Sequence, residues 1–171
     1  ALAAAAIMLL LSRAEVEEVL LDVEWSTIGF FAGLFVVVGG LAETGVIEML
    51  ANALIDATGG DLFLTIMIMV WASAIISSFL DNIPLVATLI PIVQTMEAAG
   101  LDVMPYWWAI SLGACIGGIG TLIGASANVV LSGISKNNGH PITFGQYFKI
   151  GFPMMILSII VCSVFLLIRF A

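Results

Sequence analysis

The sequence predicts an all-α integral membrane protein, and three observations support this fold class. The 171 residues are 62% hydrophobic and only 9% charged, with a mean hydropathy of +1.23, which is far outside the range of soluble domains. Several apolar runs approach the length of roughly 20 residues that a helix needs to cross a bilayer. The formal net charge of −8 comes almost entirely from acids between these runs, so it does not indicate a soluble acidic protein.

Four apolar runs are predicted to cross or enter the membrane, so that residues 1–171 form a single multi-pass transmembrane domain. They are residues 27–41, 62–80, 107–131 and 152–168. The apolar stretch that ends at Leu11 starts without a charged leader, and we therefore expect the chain to be a fragment that begins within an earlier helix. Acids alternate with apolar residues at helical spacing over residues 13–24 and 43–61, which predicts two helices lying at the membrane surface.

Residues of the kind that bind metals or cofactors are sparse. Cys115 and Cys162 lie in apolar surroundings without CxxC spacing, so we expect two small buried hydrophobic side chains rather than a disulfide or a metal site. His140 lies beside Pro141 in a polar loop, where a single imidazole is usually solvated. The sequence therefore predicts no cofactor.

Residues 62–98 are predicted to form a helical hairpin. As one helix, the first 35 of these residues would be about 52 Å long at 1.5 Å per residue, whereas the hydrocarbon core of a bilayer is about 30 Å thick. Pro84 has no amide hydrogen and disfavours helical backbone at the residue before it. We therefore expect the chain to bend back at residues 81–84.

Asp81 is the one formal charge near the middle of this apolar region. A carboxylate at bilayer depth costs at least about 2.5 kcal/mol, so such a group normally faces a cavity or a partner on a transport pathway. Two arrangements are open: either both arms are full spans and Asp81 lies in a turn on the far side, or the hairpin is re-entrant and its tip ends inside the protein. The second arm, residues 85–94, is short and interrupted by Pro91, which favours re-entrance.

Residues 105–135 are predicted to form a discontinuous transmembrane helix. Residues 113–128 read GACIGGIGTLIGASAN, with five glycines, and each glycine inside a helix costs about 1 kcal/mol relative to alanine. Unwound backbone in a membrane is tolerated only where it is buried in protein or lines a cavity. The alternative is a straight helix whose glycines form a packing groove. We favour the broken helix, followed by a short surface helix over residues 143–149 and a last span over residues 152–168.

Two interrupted segments with polar residues at their breaks are typical of transporter sites built from helix ends. Helix N-termini bind anions, while carboxylates and C-terminal carbonyls suit small cations. In this interpretation Asp81 accepts a proton or Na⁺, and a bound Na⁺ is held by Asp81, Asn82 and Asn128. The candidate substrate and ion site comprises groups at both breaks: Ser78, Asp81, Asn82, Ile83, Thr121, Gly124, Ala125, Ser126 and Asn128.

Three motifs carry a family resemblance. The segments SSFLDNIPLVATLIPIV, GTLIGASANVV and FGQYFKIGFPMM resemble the C-terminal half of the arsenite permease and NhaD-type antiporter branch of the ion transporter superfamily, which includes the pigmentation P proteins and citrate transporter-like carriers. The resemblance implies one of two inverted repeats, each with a re-entrant hairpin and a broken helix. It also implies that Asp81, Asn82 and Ile83 occupy the place of a sodium-binding Ser-Asn-Thr motif, where a carboxylate makes proton coupling more plausible without excluding sodium.

The leading functional hypothesis is a secondary active transporter of an inorganic ion or a small anion or oxyacid, coupled to a proton or sodium gradient by alternating access. Alternatives within this class are a Na⁺/H⁺ antiporter and a sodium-coupled dicarboxylate or citrate carrier. A passive channel or a structural membrane subunit is the alternative of a different class. An enzyme is disfavoured because HExxH and nucleophile dyads are missing from the sequence.

The expected partners follow from this hypothesis. They are the transported ion or anion, the lipid bilayer, an N-terminal repeat of the same protein, and a second copy of the chain in a homodimer. No feature indicates nucleic-acid binding. We expect an integral membrane location in a bacterial or archaeal plasma membrane, and we expect these 171 residues alone not to transport.

Overall fold

The computed structural model describes residues 4, 6–9, 16–21 and 25–170, and within these ranges the chain is helical without β-strands. The helices are α1 (Val16–Leu21), α2 (Trp25–Glu43), α3 (Val46–Thr58), α4 (Leu62–Ser77), α5 (Asn82–Ala98), α6 (Met104–Gly117), α7 (Ser126–Asn137) and α8 (Phe144–Phe170). The chain divides into two compact units, residues 1–35 and residues 36–171. Helices α3 to α8 and the candidate site lie in the second unit. Leu11 and the flanks of the amphipathic segment 13–24 fall outside the described residues.

The second unit is built around the contact between α4 and α6, which is more extensive than any other helix pairing in the described part. Helix α8 packs on both of these helices, and α5 packs on α3 and α6. The buried apolar core draws on α3 to α6 and α8: Ala51, Ile66, Met69, Val70, Ala74, Val93, Met96, Val103, Tyr106, Ala109, Ile110, Met155, Ile159 and Leu166. Helix α7 buries none of its residues.

Glycines on α6 allow its close approach to α4. A β-carbon at Gly117 would lie 2.7 Å from Ala74 Cα and 2.8 Å from Ser77 Cβ, and one at Gly113 would overlap Ser73. Ser77 Oγ then donates to the Ala114 carbonyl at 2.6 Å. The packing groove that the sequence offered as an alternative to a broken helix is thus formed by these two glycines, inside α6.

The C-terminal region of the structure differs from the one predicted from the sequence. Residues 143–149 and 152–168 do not form two separate helices, because one continuous helix of 27 residues runs from Phe144 to Phe170 with Pro153 inside it. Among the described residues it is the one helix that is long and apolar enough to cross a membrane. The pair Ile28–Glu43 and Val46–Thr58, bent by 66°, passes the same criterion when taken together.

The hairpin arms also differ in detail from the expectation. Pro91 does not interrupt the second arm, because α5 continues through it to Ala98. Helices α4 and α5 have 16 and 17 residues, so they are about 24 and 26 Å long and shorter than a hydrocarbon core of about 30 Å. Re-entrance therefore stays a prediction that now depends on the length of both arms rather than on a break at Pro91.

Two smaller expectations have separate outcomes. The amphipathic segment 43–61 contains a helix, α3, which begins after Gly45 and ends before Gly59, both with left-handed backbone. Its location at a membrane surface stays a prediction. The expectation that both cysteines are buried is wrong for Cys115, which is exposed, whereas Cys162 is half-buried.

Candidate functional site

The hairpin turn consists of residues 78–81, between the end of α4 and the start of α5. Asp81 is the N-cap of α5, and its Oδ1 accepts a hydrogen bond from the Ile83 backbone N–H at 3.1 Å. Pro84 is the third residue of α5, a position where its missing N–H costs nothing, because the first turn has no helical acceptor. The bend lies at residues 78–81 and overlaps the predicted bend at 81–84 only at Asp81, because Asn82, Ile83 and Pro84 already belong to α5.

Residues 118–125 separate α6 from α7 and lie outside both helices. This segment, which we call the break, packs on the C-terminal end of α4. Thr121 Oγ1 donates a short hydrogen bond to the Ser78 carbonyl and accepts one from the Ile123 N–H at 3.2 Å. A β-carbon at Gly124 would lie 2.9 Å from the Ser78 carbonyl oxygen and 3.0 Å from that of Ser77. Thr121 and Gly124 thus hold the break directly against the hairpin turn.

Ser126 and Asp81 form the central contact of the site. Ser126 Oγ donates to Asp81 Oδ2 at 2.7 Å, so the two oxygens of the carboxylate bind two different elements. Ser126 is the first residue of α7, and Ala125 before it supplies no side-chain cap. The carboxylate therefore lies at the N-terminal ends of both α5 and α7, where helix dipoles stabilise negative charge.

The remaining predicted residues lie around this contact with different roles. Asn128 uses its side-chain nitrogen to bind two carbonyls of the break, those of Gly118 at 2.9 Å and Thr121 at 3.0 Å. Ile83 contributes its backbone N–H, while its side chain is 55% exposed. The Asn82 side chain makes no hydrogen bond within the described part of the chain. The structure thus joins Asp81 to Ser126 and leaves Asn82 and Ile83 beside them.

The donor chemistry of the site is oxygen-based. The carboxylate of Asp81 and the hydroxyl of Ser126 are ligands that suit a proton or a hard cation and not a soft transition metal. In the residues that the structure covers, no cluster of three or more His, Cys, Asp or Glu side chains occurs. Ser126 is exposed and Asp81 is half-buried, so an ion can reach the pair on this chain.

Sequence reasoning missed the serines that align α4 with α6. Ser73 and Ser77 are both buried, and they face Gly113 and Gly117, which have the same spacing of four residues. Matching i, i+4 rows of small residues on two apolar helices are a known signal of close helix packing. That signal was present in the sequence and identifies α4 and α6, the helices that end at the hairpin turn and at the break.

Comparison with known proteins assigns the chain to a family. A family model described as "Citrate transporter" matches residues 1–113. The chain belongs to the citrate transporter family. The match ends before the break, but relatives align across it: the "46 kDa membrane protein" of Mycobacterium leprae is 41% identical over 169 residues, 97% of this chain and 39% of the relative.

Other relatives show similar identity to this chain. A protein of Mycobacterium tuberculosis named as an uncharacterized transporter is 42% identical over 177 residues, 99% of this chain and 40% of the relative. The P protein of Homo sapiens is 42% identical over 160 residues, 89% of this chain and 19% of the relative. The predicted resemblance to citrate transporter-like carriers is confirmed, and with it an integral membrane protein, whereas the narrower assignment to the arsenite permease and NhaD-type branch stays a prediction. The chain spans about two fifths of the length of its mycobacterial relatives.

Proposed function

We propose that this chain supplies part of the substrate site of a secondary active transporter, which moves a small anion or inorganic ion by alternating access. The observation that carries the proposal is the 2.7 Å hydrogen bond from Ser126 to Asp81. It brings the acid of the hairpin turn to the first residue of the helix that follows the break. Membership of the citrate transporter family supports the same conclusion.

Asp81 offers a means of coupling transport to a cation gradient. In the described part of the chain its carboxylate has the Ile83 N–H and the Ser126 hydroxyl as partners and no basic side chain. A proton or Na⁺ that binds Asp81 neutralises it and weakens its attraction to the N-termini of α5 and α7. Ion binding then favours a different arrangement of the hairpin turn and the break. The two arrangements differ in their affinity for the ion, and alternating access requires such a difference.

The N-terminus of α7 suits an anionic substrate. Ala125 at its N-cap provides no side-chain acceptor, so its first N–H groups are available to the oxygens of a carboxylate or oxyacid. The family description as a citrate transporter favours citrate or a dicarboxylate as the first substrates to test. Exchange of Na⁺ for H⁺ is the second candidate, because Asp81 with Ser126 is an oxygen donor set for a small cation.

The test is a substrate panel on the full-length protein in proteoliposomes. Citrate, succinate, arsenite and Na⁺ are each offered with an imposed proton gradient, an imposed sodium gradient, or neither. We expect saturable uptake and counterflow of one of them, dependent on a gradient. Non-saturating flux without counterflow would instead support a channel, and no flux of any of the four would contradict the proposal.

The rest of the full-length protein is required for this activity. Because the chain spans only about two fifths of its mycobacterial relatives, we propose that the remaining sequence supplies a second repeat and the other half of the site. The 171 residues reconstituted alone should show no coupled uptake. Uptake equal to that of the full-length protein would contradict this division of the site.

A further inference from the structure

The side chain of Asn128 reaches back from α7 across the break. We propose that Asn128 is a positioning residue that holds residues 118–125 in shape, and that it is not a ligand of the transported ion. Its Nδ2 donates to the carbonyls of Gly118 at 2.9 Å and Thr121 at 3.0 Å. Both partners are acceptors, so the nitrogen must face them, because a flipped amide would place Oδ1 against two carbonyl oxygens.

The break needs this donor because its backbone is cut off from helical hydrogen bonding. In a continuous helix the Gly118 carbonyl would accept from the N–H four residues later. In the described part of the chain Asn128 is its only hydrogen-bond donor, and Gly118 is buried. A buried carbonyl without a donor is costly, so Asn128 stabilises the folded-back form of the break.

The same side chain acts on the site through its two partners. Thr121, whose carbonyl binds Asn128, donates its hydroxyl to the Ser78 carbonyl of the hairpin turn. Ser126, two residues before Asn128, donates to Asp81. Asn128 therefore fixes the segment that lies between the two contacts to the hairpin. Its loss should loosen both contacts without removing either donor.

Hydrogen–deuterium exchange on the full-length protein in nanodiscs tests the structural part of this proposal. Asn128→Asp keeps the side-chain shape but removes both donors. We expect exchange of the amides in residues 118–125 to rise at least about tenfold, as for the loss of two hydrogen bonds, with exchange in α8 unchanged. Unchanged exchange in the break would overturn the proposal.

Two further variants complete the exchange experiment. Asn137→Asp is the matched control, because Asn137 lies exposed at the end of α7 and its side chain makes no hydrogen bond within the described residues. It should leave the break unchanged. Asn128→Ala removes the side chain without adding charge, and it gives the same test with the same expected rise if the Asp variant does not fold.

Flux measurements separate positioning from ligation, and this arm alone rests on the proposed function. We expect N128D to lower coupled flux about tenfold without improving the apparent affinity for Na⁺ or H⁺, and Asn128→Gln, which keeps the donors, to retain part of the flux. Undiminished flux in N128D would overturn the positioning role, and undiminished flux with tighter cation affinity would show that Oδ1 is a ligand. If the wild-type protein shows no coupled flux, the proposed function fails, while the exchange data still decide the role of Asn128.

Discussion

The hairpin turn and the break both interrupt helices, but different contacts hold them in place. The turn has local side-chain hydrogen bonds of its own, besides the one that Asp81 accepts from Ser126: Ser78 Oγ donates to the Ile75 carbonyl at 2.7 Å and Asp81 accepts from Ile83. In and around the break, four of them join residues that are 7 to 45 positions apart, as from Ser126 to Asp81, and one is local, from the Ile123 N–H to Thr121 Oγ1. The turn is thus specified by its own sequence, whereas the break takes its shape from the hairpin that it packs on.

This difference predicts how substitutions should act. A change at Asp81 should alter the chemistry of the site while the helices remain, since the turn has other local bonds. A change in the break, or in the glycines that let it lie against α4, should first alter helix packing. The chemistry of the site should change as a consequence. The four predictions below run from the largest expected effect to the smallest.

Asp81→Asn should abolish gradient-driven flux, because the neutral amide cannot bind and release a proton and attracts cations weakly. We expect a loss of at least about a hundredfold, equivalent to about 2.7 kcal/mol, in proteoliposomes of the full-length protein. Asp61→Asn is the matched control, because Asp61 also caps a helix, accepting from Leu64 N–H at 2.7 Å, but lies at the opposite end of α4. Coupled flux that survives in the Asp81 variant would refute its assigned role.

Gly117→Ala should destabilise the fold by about 2 kcal/mol, as overpacking in a tight core does. The new methyl would lie within 2.7 Å of the backbone of Ala74, so relief requires α4 and α6 to separate. Thermal unfolding of the purified protein measures the effect. Gly133→Ala, at a helical glycine with no atom within 4 Å, should be neutral or slightly stabilising; equal melting temperatures for both variants would rule out the close α4–α6 contact.

Thr121→Val should cost about 1.5 kcal/mol, because it leaves the buried Ser78 carbonyl without its donor while preserving side-chain volume. The long-range bond in the break should therefore matter more than a local one. Thr88→Val provides the comparison, since Thr88 donates only to Leu85, one turn earlier in its own helix, at 2.7 Å. Both variants are compared by thermal unfolding, and a larger loss at Thr88 than at Thr121 would contradict the greater contribution of the long-range bond.

Ser126→Ala should have the smallest effect of the four. Because Ser126 is exposed, losing its hydrogen bond to the carboxylate should cost about 1 kcal/mol, the value for a typical hydrogen bond rather than for a bond to a charged group, so we expect about a fivefold change in the apparent affinity for the coupling ion, with melting temperature unchanged. Ser111→Ala, at an exposed serine of α6, is the control for transport assays. An identical ion dependence in wild type and the Ser126 variant would show that Ser126 does not act on Asp81.

The sequence indicated where helices are interrupted, while a re-entrant hairpin and a discontinuous transmembrane helix stay predictions. Pro84 marked the hairpin, and the density of glycine marked the break. Both signals act over a few residues, through a missing N–H or through backbone freedom. The same locality explains two wrong predictions, the interruption at Pro91 and the separate helices on either side of residues 150–151. A proline inside a packed helix can be tolerated when neighbouring helices support it.

The features that depend on tertiary contacts were harder to predict from the sequence. The sequence grouped Asp81, Ser126 and Asn128 as candidates, but it could not show that the Asn128 nitrogen faces carbonyls of the break. That orientation depends on how residues 118–125 fold back, which is set by contacts with Ser77 and Ser78. Exposure of Cys115 likewise depends on which face of α6 packs on α4.

Oxidative cross-linking of the hairpin turn to the break tests the central claim most directly. Asp81→Cys and Ser126→Cys are combined in a full-length protein without other cysteines, and the rate of disulfide formation is measured in membranes. Since a disulfide requires α-carbons within about 7 Å, we expect rapid linkage for this pair. The pair Asp61→Cys with Ser126→Cys should stay unlinked, because Asp61 lies at the other end of α4, which is about 24 Å long. Equal rates for the two pairs would contradict the meeting of Asp81 with Ser126.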